Sequence, residues 1–494
     1  MADDMRRRLA ALPSLPPKVA VSVVFVLAMF MAIMDVTIVN VALPTLARQF
    51  RVRPAAIDTV VVGFLVSLAV FIPASGWLGD RFGTKRVFLA AVAVFTGASA
   101  LCGLAQNLGE LVGFRILQGV GGGMMTPVGM AMLYRTFPAH ERIRASRILT
   151  AATAFAPALG PVIGGLFVTD FSWRWVFFVN LPIGLVALTF GSLFLAEHTE
   201  PDAGAFDVAG FLLAGVGFAS LMYCLSEGSD LGWGSPRIVV SGTVGAALTA
   251  LLVRVELRRP HPMIDLRLFS DKLFRATSAL MFLGVSAFLG SLYIVALFFQ
   301  LGLGASPLTS GLSTFPEAIG VMLGAQVSTR LYPKVGPRRI IVGGLLFVSM
   351  VLALISRVGA GPDSLWIMRG LMFVLGYGMA HVFTPAQAAA FATIRPSSTG
   401  RASTLFNAQR QLGSALGVAV LSTVFAAVGP FRHTTAGTVA HLSAYHDAFA
   451  LAAVMAAVAA VAALFVNDAL AAPSMRDMTA AAVPEGAIPE PAAL

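Results

Sequence analysis

The chain has 494 residues, 57% of them hydrophobic and 12% charged, with a mean hydropathy of +0.84. Soluble domains carry about twice that charged share, so a soluble globular protein is excluded. The net charge of +10 would suit nucleic acid only if the basic residues gathered on one solvated face; they fall instead in short loops between apolar runs, and no nucleic-acid partner is expected.

Residues 1–18 read as an N-terminal cytoplasmic tail. Arg6-Arg7-Arg8 ahead of an apolar run superficially resembles a signal peptide. The run is too long, no small-x-small site follows it, and many more runs come after, so it reads as an anchor. The first run, Val19–Val41, holds one carboxylate, Asp35. Placing a charge at such depth costs about 2.5–3.5 kcal/mol on insertion scales, which favours a functional role over an acid reaching for the headgroups.

Thirteen further spans follow: Ala56–Leu78, Val87–Ala105, Leu108–Tyr134, Ser146–Thr169, Val176–Leu195, Val208–Ser226, Arg237–Val253, Leu273–Gln300, Leu308–Leu331, Ile340–Arg357, Leu365–Phe391, Ala402–Val428 and Ala448–Val466. Fourteen spans put both termini on one side. With that side cytoplasmic, about 24 Lys and Arg lie inside and about 7 outside. The loop Glu197 to Asp207 is acidic and cytoplasmic in this threading. The Ala- and Pro-rich stretch 471–494 reads as a disordered cytoplasmic tail. Cys102 and Cys224 lie far apart in apolar runs, so neither a disulfide framework nor a metal site is expected.

A repeat underlies the spans. Phe82-Gly83-Thr84-Lys85-Arg86 follows the second span and Val335-Gly336-Pro337-Arg338-Arg339 the tenth. Arg115 opens the fourth and Arg369 the twelfth; Arg144-Ala145-Ser146 enters the fifth and Arg401-Ala402-Ser403 the thirteenth. Parallel six-helix halves are a transporter architecture with its site between the halves near midplane. The expected organisation is a six-helix half over 19–196, an insert of two transmembrane helices over 197–254, and a second six-helix half over 255–470.

The most specific string runs from Gly76 to Arg86, GWLGDRFGTKR. Gly76 and Gly79 allow close helix approach, Gly83 a tight turn, and Asp80 can sit at another helix's N-terminus, where the dipole favours an anion. Arg81 and Arg86 complete the basic hairpin. Here the chain resembles the major facilitator superfamily. Asp35 to Pro44, Arg115 to Gly123, Gly160-Pro161-Val162-Ile163-Gly164-Gly165, Trp173 to Pro182, Ile264 to Phe269 and Gln409 to Gly413 narrow the resemblance to the fourteen-spanner drug:proton antiporters of the EmrB/QacA type. It spans about residues 19 to 470. Asp58 and Phe64 stand where many relatives have Trp and Tyr, and the second hairpin copy lacks the Asp. The resemblance implies an all-α polytopic membrane protein with the major facilitator fold. Asp80 would brace the outward-facing state against the span opening at Ala402, and the fifth-helix motif would favour export.

From physics alone, Gly160, Gly164 and Gly165 serve helix packing as readily as transport, and Pro161 bends the span. The Gly119–Gly123 run lacks nucleotide-loop spacing and sits in an apolar span, so it too reads as packing; no P-loop string occurs. No cofactor is expected, transport being driven by a proton gradient. By depth, Arg115 lies level with Asp35 and can pair with it when cargo is absent, while Glu317 sits near midplane in the other half, where the two acids can face one another across a central cavity. Arg410 either balances Glu317 or bonds helix carbonyls. His381, near the cytoplasmic end of its span, reads as solvated rather than as a proton relay, and Asp58 as solvated at the outer mouth. Asn40, Gln118 and Arg369 are secondary site candidates. Phe30, Phe315, Tyr293 and Phe406 are candidate contacts to cargo.

These residues point to a monomeric cell-membrane antiporter that exports lipophilic, cationic compounds against protons. A proton and a cation would compete for the same dry carboxylates. An exporter dedicated to one secondary metabolite, and a non-transporting sensor or scaffold, are the alternatives. An enzyme is least supported, since no nucleophile elbow, metal cluster or acid pair in a soluble pocket occurs.

Overall fold

The computed structural model describes residues 15–52, 57, 59–200, 204–260, 262–429, 431–434 and 437–475. The first half comprises α1 (Pro17–Phe50), α2 (Thr59–Phe82), α3 (Thr84–Leu104), α4 (Leu108–Thr136), α5 (Arg142–Asp170) and α6 (Asn180–Phe194), the last entered through a one-turn helix at Trp175–Phe178. The inserted pair is α7 (Val208–Leu231) and α8 (Pro236–Glu256). The second half comprises α9 (Lys272–Leu297), α10 (Pro307–Val335), α11 (Pro337–Ile355), α12 (Ser364–Ala390), α13 (Thr399–Val428) and α14 (Leu442–Ala463), followed by a short α15 (Asp468–Met475).

Every predicted span is a helix. Among the described residues thirteen helices are long and apolar enough to cross a membrane. The one that is not is α10. Ser310, Ser313 and Glu317 recur along it at i, i+3 and i+7 and all three are buried, so its polar stripe faces protein rather than lipid. The helix packs against α12 in its own half and against α5 of the other.

The Gly-rich motifs are packing devices, as their physics suggests. A Cβ on Gly119, Gly121 or Gly123 would sit 2.5–2.6 Å from a backbone carbonyl of α2 or α3, so α4 lies flush between those helices. A Cβ on Gly160 would collide with Thr37, and one on Gly164 would lie 2.9 Å from Ile38, which seats α5 against α1. Gly165 faces open space, and only the first two glycines of that motif do this work. The side chain of Pro161 lies outside the described residues, as does Asp58.

One expectation is corrected. The tail read as disordered from 471 begins as helix: α15 carries Ala471 and Ser474 buried against the bundle, because those small residues seat between neighbouring helices. The loop between α13 and α14 carries an antiparallel hairpin, Phe431–Thr434 with Gly437–Ala440, the one strand pair among the described residues of an otherwise helical chain.

Candidate functional site

The first-half site is built on Asp35, fully buried in α1. Five side chains of α2, α3, α4 and α6 gather around it. Arg115, 1% exposed, donates from Nη1 to Asp35 Oδ2 at 2.5 Å and to Gln118 Oε1 at 2.7 Å. Gln118, one turn further along α4, donates from Nε2 to Asp35 Oδ1 at 2.9 Å, and Asn180 of α6 donates from Nδ2 to the same oxygen at 2.9 Å. Asn180 also donates to Ser99 Oγ of α3 at 3.0 Å, and Ser99 donates to the Phe177 carbonyl at 2.9 Å. The Arg115 guanidinium donates from Nε to the Val60 carbonyl and lies 4.2 Å from the Phe64 ring centroid. Phe64 thus provides an apolar and cation–π floor for the arginine.

A buried ion pair holds only where hydrogen bonds satisfy the remaining lone pairs, and Gln118 and Asn180 supply them. Depth along the helices correctly brings Asp35 and Arg115 together. Asn180 and Ser99 were missed as individuals, although an Asn inside an apolar span is itself a polar signal in membrane. Asn40, five residues beyond Asp35, is exposed and takes no part.

Glu317 stands apart. It is 5% exposed, and among the described residues it has neither hydrogen-bond nor ion-pair partner. Phe315, two residues earlier, meets Phe155 of α5 at a ring separation of 6.1 Å, and an apolar cluster of Ala154, Ala318, Val321, Ala325 and Ala380 lies around them. Glu317 thus lies on α10, a helix of the seam, on the stripe of Ser310 and Ser313 and with its backbone against Gly376 of α12, while Asp35 points into its own half. Among the described residues no hydrogen bond or ion pair connects the two acids, and they do not face one another as expected. The reason is register: the Asp35 face of α1 is the face that α3, α4 and α6 cover.

Other candidates part from their expected roles. Arg369, the repeat counterpart of Arg115, donates to Ser313 Oγ at 3.1 Å, not to Glu317 one turn away, and lies 4.4 Å from the Trp366 ring. Arg410 is half-buried in α13 and, among the described residues, forms neither the ion pair with Glu317 nor a carbonyl hydrogen bond. His381 is half-buried rather than solvated; its Nδ1 pairs with the Tyr377 carbonyl at 2.8 Å. Phe406 is buried against Phe391 at 5.7 Å, and Tyr293 is exposed. Phe30 is half-buried in α1.

The hairpin residues cluster at the end of the bundle that carries the basic loops, called here the basic end. Asp80 Oδ1 accepts from Arg135 Nη2 at 2.8 Å, and a Cβ on Gly400, at the start of α13, would lie 2.7 Å from that oxygen. A Cβ on Gly76 would lie 2.5 Å from Thr404 Oγ1, and Arg135 donates from Nε to the Pro396 carbonyl. This locks α2 and α4 against α13. Arg147 to Gln326, Thr384 to Thr150 and a stacked Tyr134–Phe391 pair at 4.3 Å link the halves near the same end. Arg81 is exposed, and Arg86 pairs with Glu197 at 3.6 Å.

Apolar helices in two packed groups, a buried charge cluster in one, and a buried acid on a helix between them are the features of a polytopic membrane transporter. The comparisons agree. The Major Facilitator Superfamily profile matches residues 25–418, and the chain belongs to that superfamily. It is 33% identical over 404 residues to the multidrug resistance protein B homolog of Mycobacterium tuberculosis, covering 81% of this chain and 75% of that one. It is 34% identical over 402 residues to multidrug resistance protein Stp of the same species, covering 81% and 74%. The crystal structure of the human organic anion transporter MFSD10 shares its fold, with a TM-score of 0.66 at 15% identity over 91% of this chain and all of that one.

Proposed function

We propose that the protein is a proton-coupled multidrug efflux antiporter of the cell membrane, exporting lipophilic, cationic compounds by alternating access. Its basic end faces the cytoplasm, as the positive-inside rule requires, and no cofactor takes part. The observation that carries this is Glu317, an acid buried in α10, a helix of the seam, and without a hydrogen-bond or ion-pair partner among the described residues. An unpaired carboxylate there bears a desolvation cost that either a proton or a cationic cargo relieves, and one site cannot take both. The names of the multidrug resistance relatives support drug efflux.

Asp35 plays a different part in this scheme. It already has a cation, Arg115, so a proton arriving at Asp35 frees the guanidinium and loosens α4 from α1. Glu317 is then the exchange site and Asp35 the acid that links protonation to helix position. In everted vesicles carrying a cationic dye, Glu317→Gln should abolish proton-driven efflux and Asp35→Asn should weaken or abolish it. An uncoupler should stop wild-type efflux. Undiminished coupling in both variants would remove the mechanism, and full proton-driven transport of only one neutral compound would favour a dedicated exporter.

A further inference from the structure

The segment after the sixth helix of each half closes that half's hairpin turn. After α6, Glu197 accepts from the Lys85 and Arg86 N–H groups at 2.9 and 3.2 Å, beside Gly83 at φ +102°. After α14, Asp468 accepts from the Arg338 N–H at 2.8 Å, beside Gly336 at φ +86°. A Cβ on Gly83 would collide with Glu197, and one on Gly336 would lie 2.8 Å from Asp468. Both glycines hold a backbone conformation that L side chains avoid, and both carboxylates satisfy first-turn N–H groups that a helix leaves open. The second hairpin lacks an acid of its own, and α15, the last helix among the described residues, brings one.

The two segments differ in reach. His198 and Glu200 stay within the first half, pairing with Thr84 and with Arg135. The other segment crosses the seam. Ser474 Oγ pairs with Tyr332 Oη of α10 at 2.8 Å, and α15 also packs against the turn Ala139–Glu141 between α4 and α5. Met475 lies on a cluster formed by Ile143 of the first half with Tyr332, Ile340 and Ala388 of the second.

We infer that α15 is a latch between the halves, docked by Asp468 as its positioning residue, and that it stabilises the state closed at the basic end. Its contacts with Ala139–Ile143 exist only while the halves meet there, and a contact made in one state alone shifts the equilibrium toward that state. The inference rests on the alternating-access part of the proposed function and on neither its cargo nor its protons.

Hydrogen exchange of the purified full-length chain, without substrate, tests it. With Asp468→Ala, exchange should rise roughly tenfold at the basic end in both halves, over residues 137–143 and 334–342, the scale expected from losing a charge-assisted bond. It should fall at the opposite end, over residues 48–52 and 303–309, as that side closes. Ser474→Ala, which leaves the Asp468 cap in place, should shift both ends the same way by less, and Asp468→Glu should restore wild-type exchange. A mere cap would loosen only residues 336–340 and 468–475. That result, or unchanged exchange at the opposite end, overturns the latch; if Asp468→Ala does not fold, Ser474→Ala decides.

Discussion

Arg115 and Asp35 are each almost wholly enclosed, so the value of their pair depends on both being present. Removing one partner from a buried pair typically costs about 3–5 kcal/mol, because the other charge is stranded. Arg115→Met should therefore lower the thermal unfolding midpoint sharply in detergent. The double variant Arg115→Met/Asp35→Asn should recover most of that loss, and a double variant no more stable than the single one would show that the pair is not coupled. Asn180→Ala strands one Asp35 lone pair instead and should cost about 1–3 kcal/mol in the same assay.

Between helices, the small residues of α5 and α12 set the spacing. A Cβ on Gly160 meets Thr37 of α1, and one on Gly376 meets the backbone of Glu317, whereas Gly165 faces open space. Overpacking a tight contact costs about 1–3 kcal/mol. Gly160→Ala and Gly376→Ala should depress both stability and dye efflux, while Gly165→Ala should remain near wild type in both measurements. If all three behave alike, the spacing argument fails. The α6–α7 connection belongs to this scale as well. Its Glu200 N–H donates to the Asp80 carbonyl, its Gly204 carbonyl accepts from Trp77, and α7 lies against both α2 and α13. The inserted pair is thus tied to the hairpin and the seam.

For the whole molecule, the polar contacts between halves made by Arg135, Arg147 and Thr150 gather at the basic end, where Asp80 holds Arg135 from within the first half. The structure is therefore closed there. Asp80→Asn removes the charge-assisted bond that holds Arg135 toward the Pro396 carbonyl of the other half, and should therefore weaken the closed state. Alkylation of a cysteine introduced at Arg147 should speed up in that variant, and an unchanged rate would mean that Asp80 does not hold the closed state.

The sequence alone determined the helical class, the number of spans and the repeat. Lipid leaves the backbone no choice but internal hydrogen bonding, so apolar length and charge spacing are read directly from the chain. Helical rise also put Arg115 level with Asp35 before any contact was known. Only the tertiary structure decided which way each side chain turned. Depth along a helix says nothing of azimuth, and azimuth gave Asp35 to Gln118 and Asn180, left Glu317 without a polar partner among the described residues, and turned Arg369 to Ser313. The acids Glu197, Glu200 and Asp468 were unreadable for a related reason. Their partners lie 65 to 130 residues away, and only the folded bundle brings such a carboxylate to a distant helix.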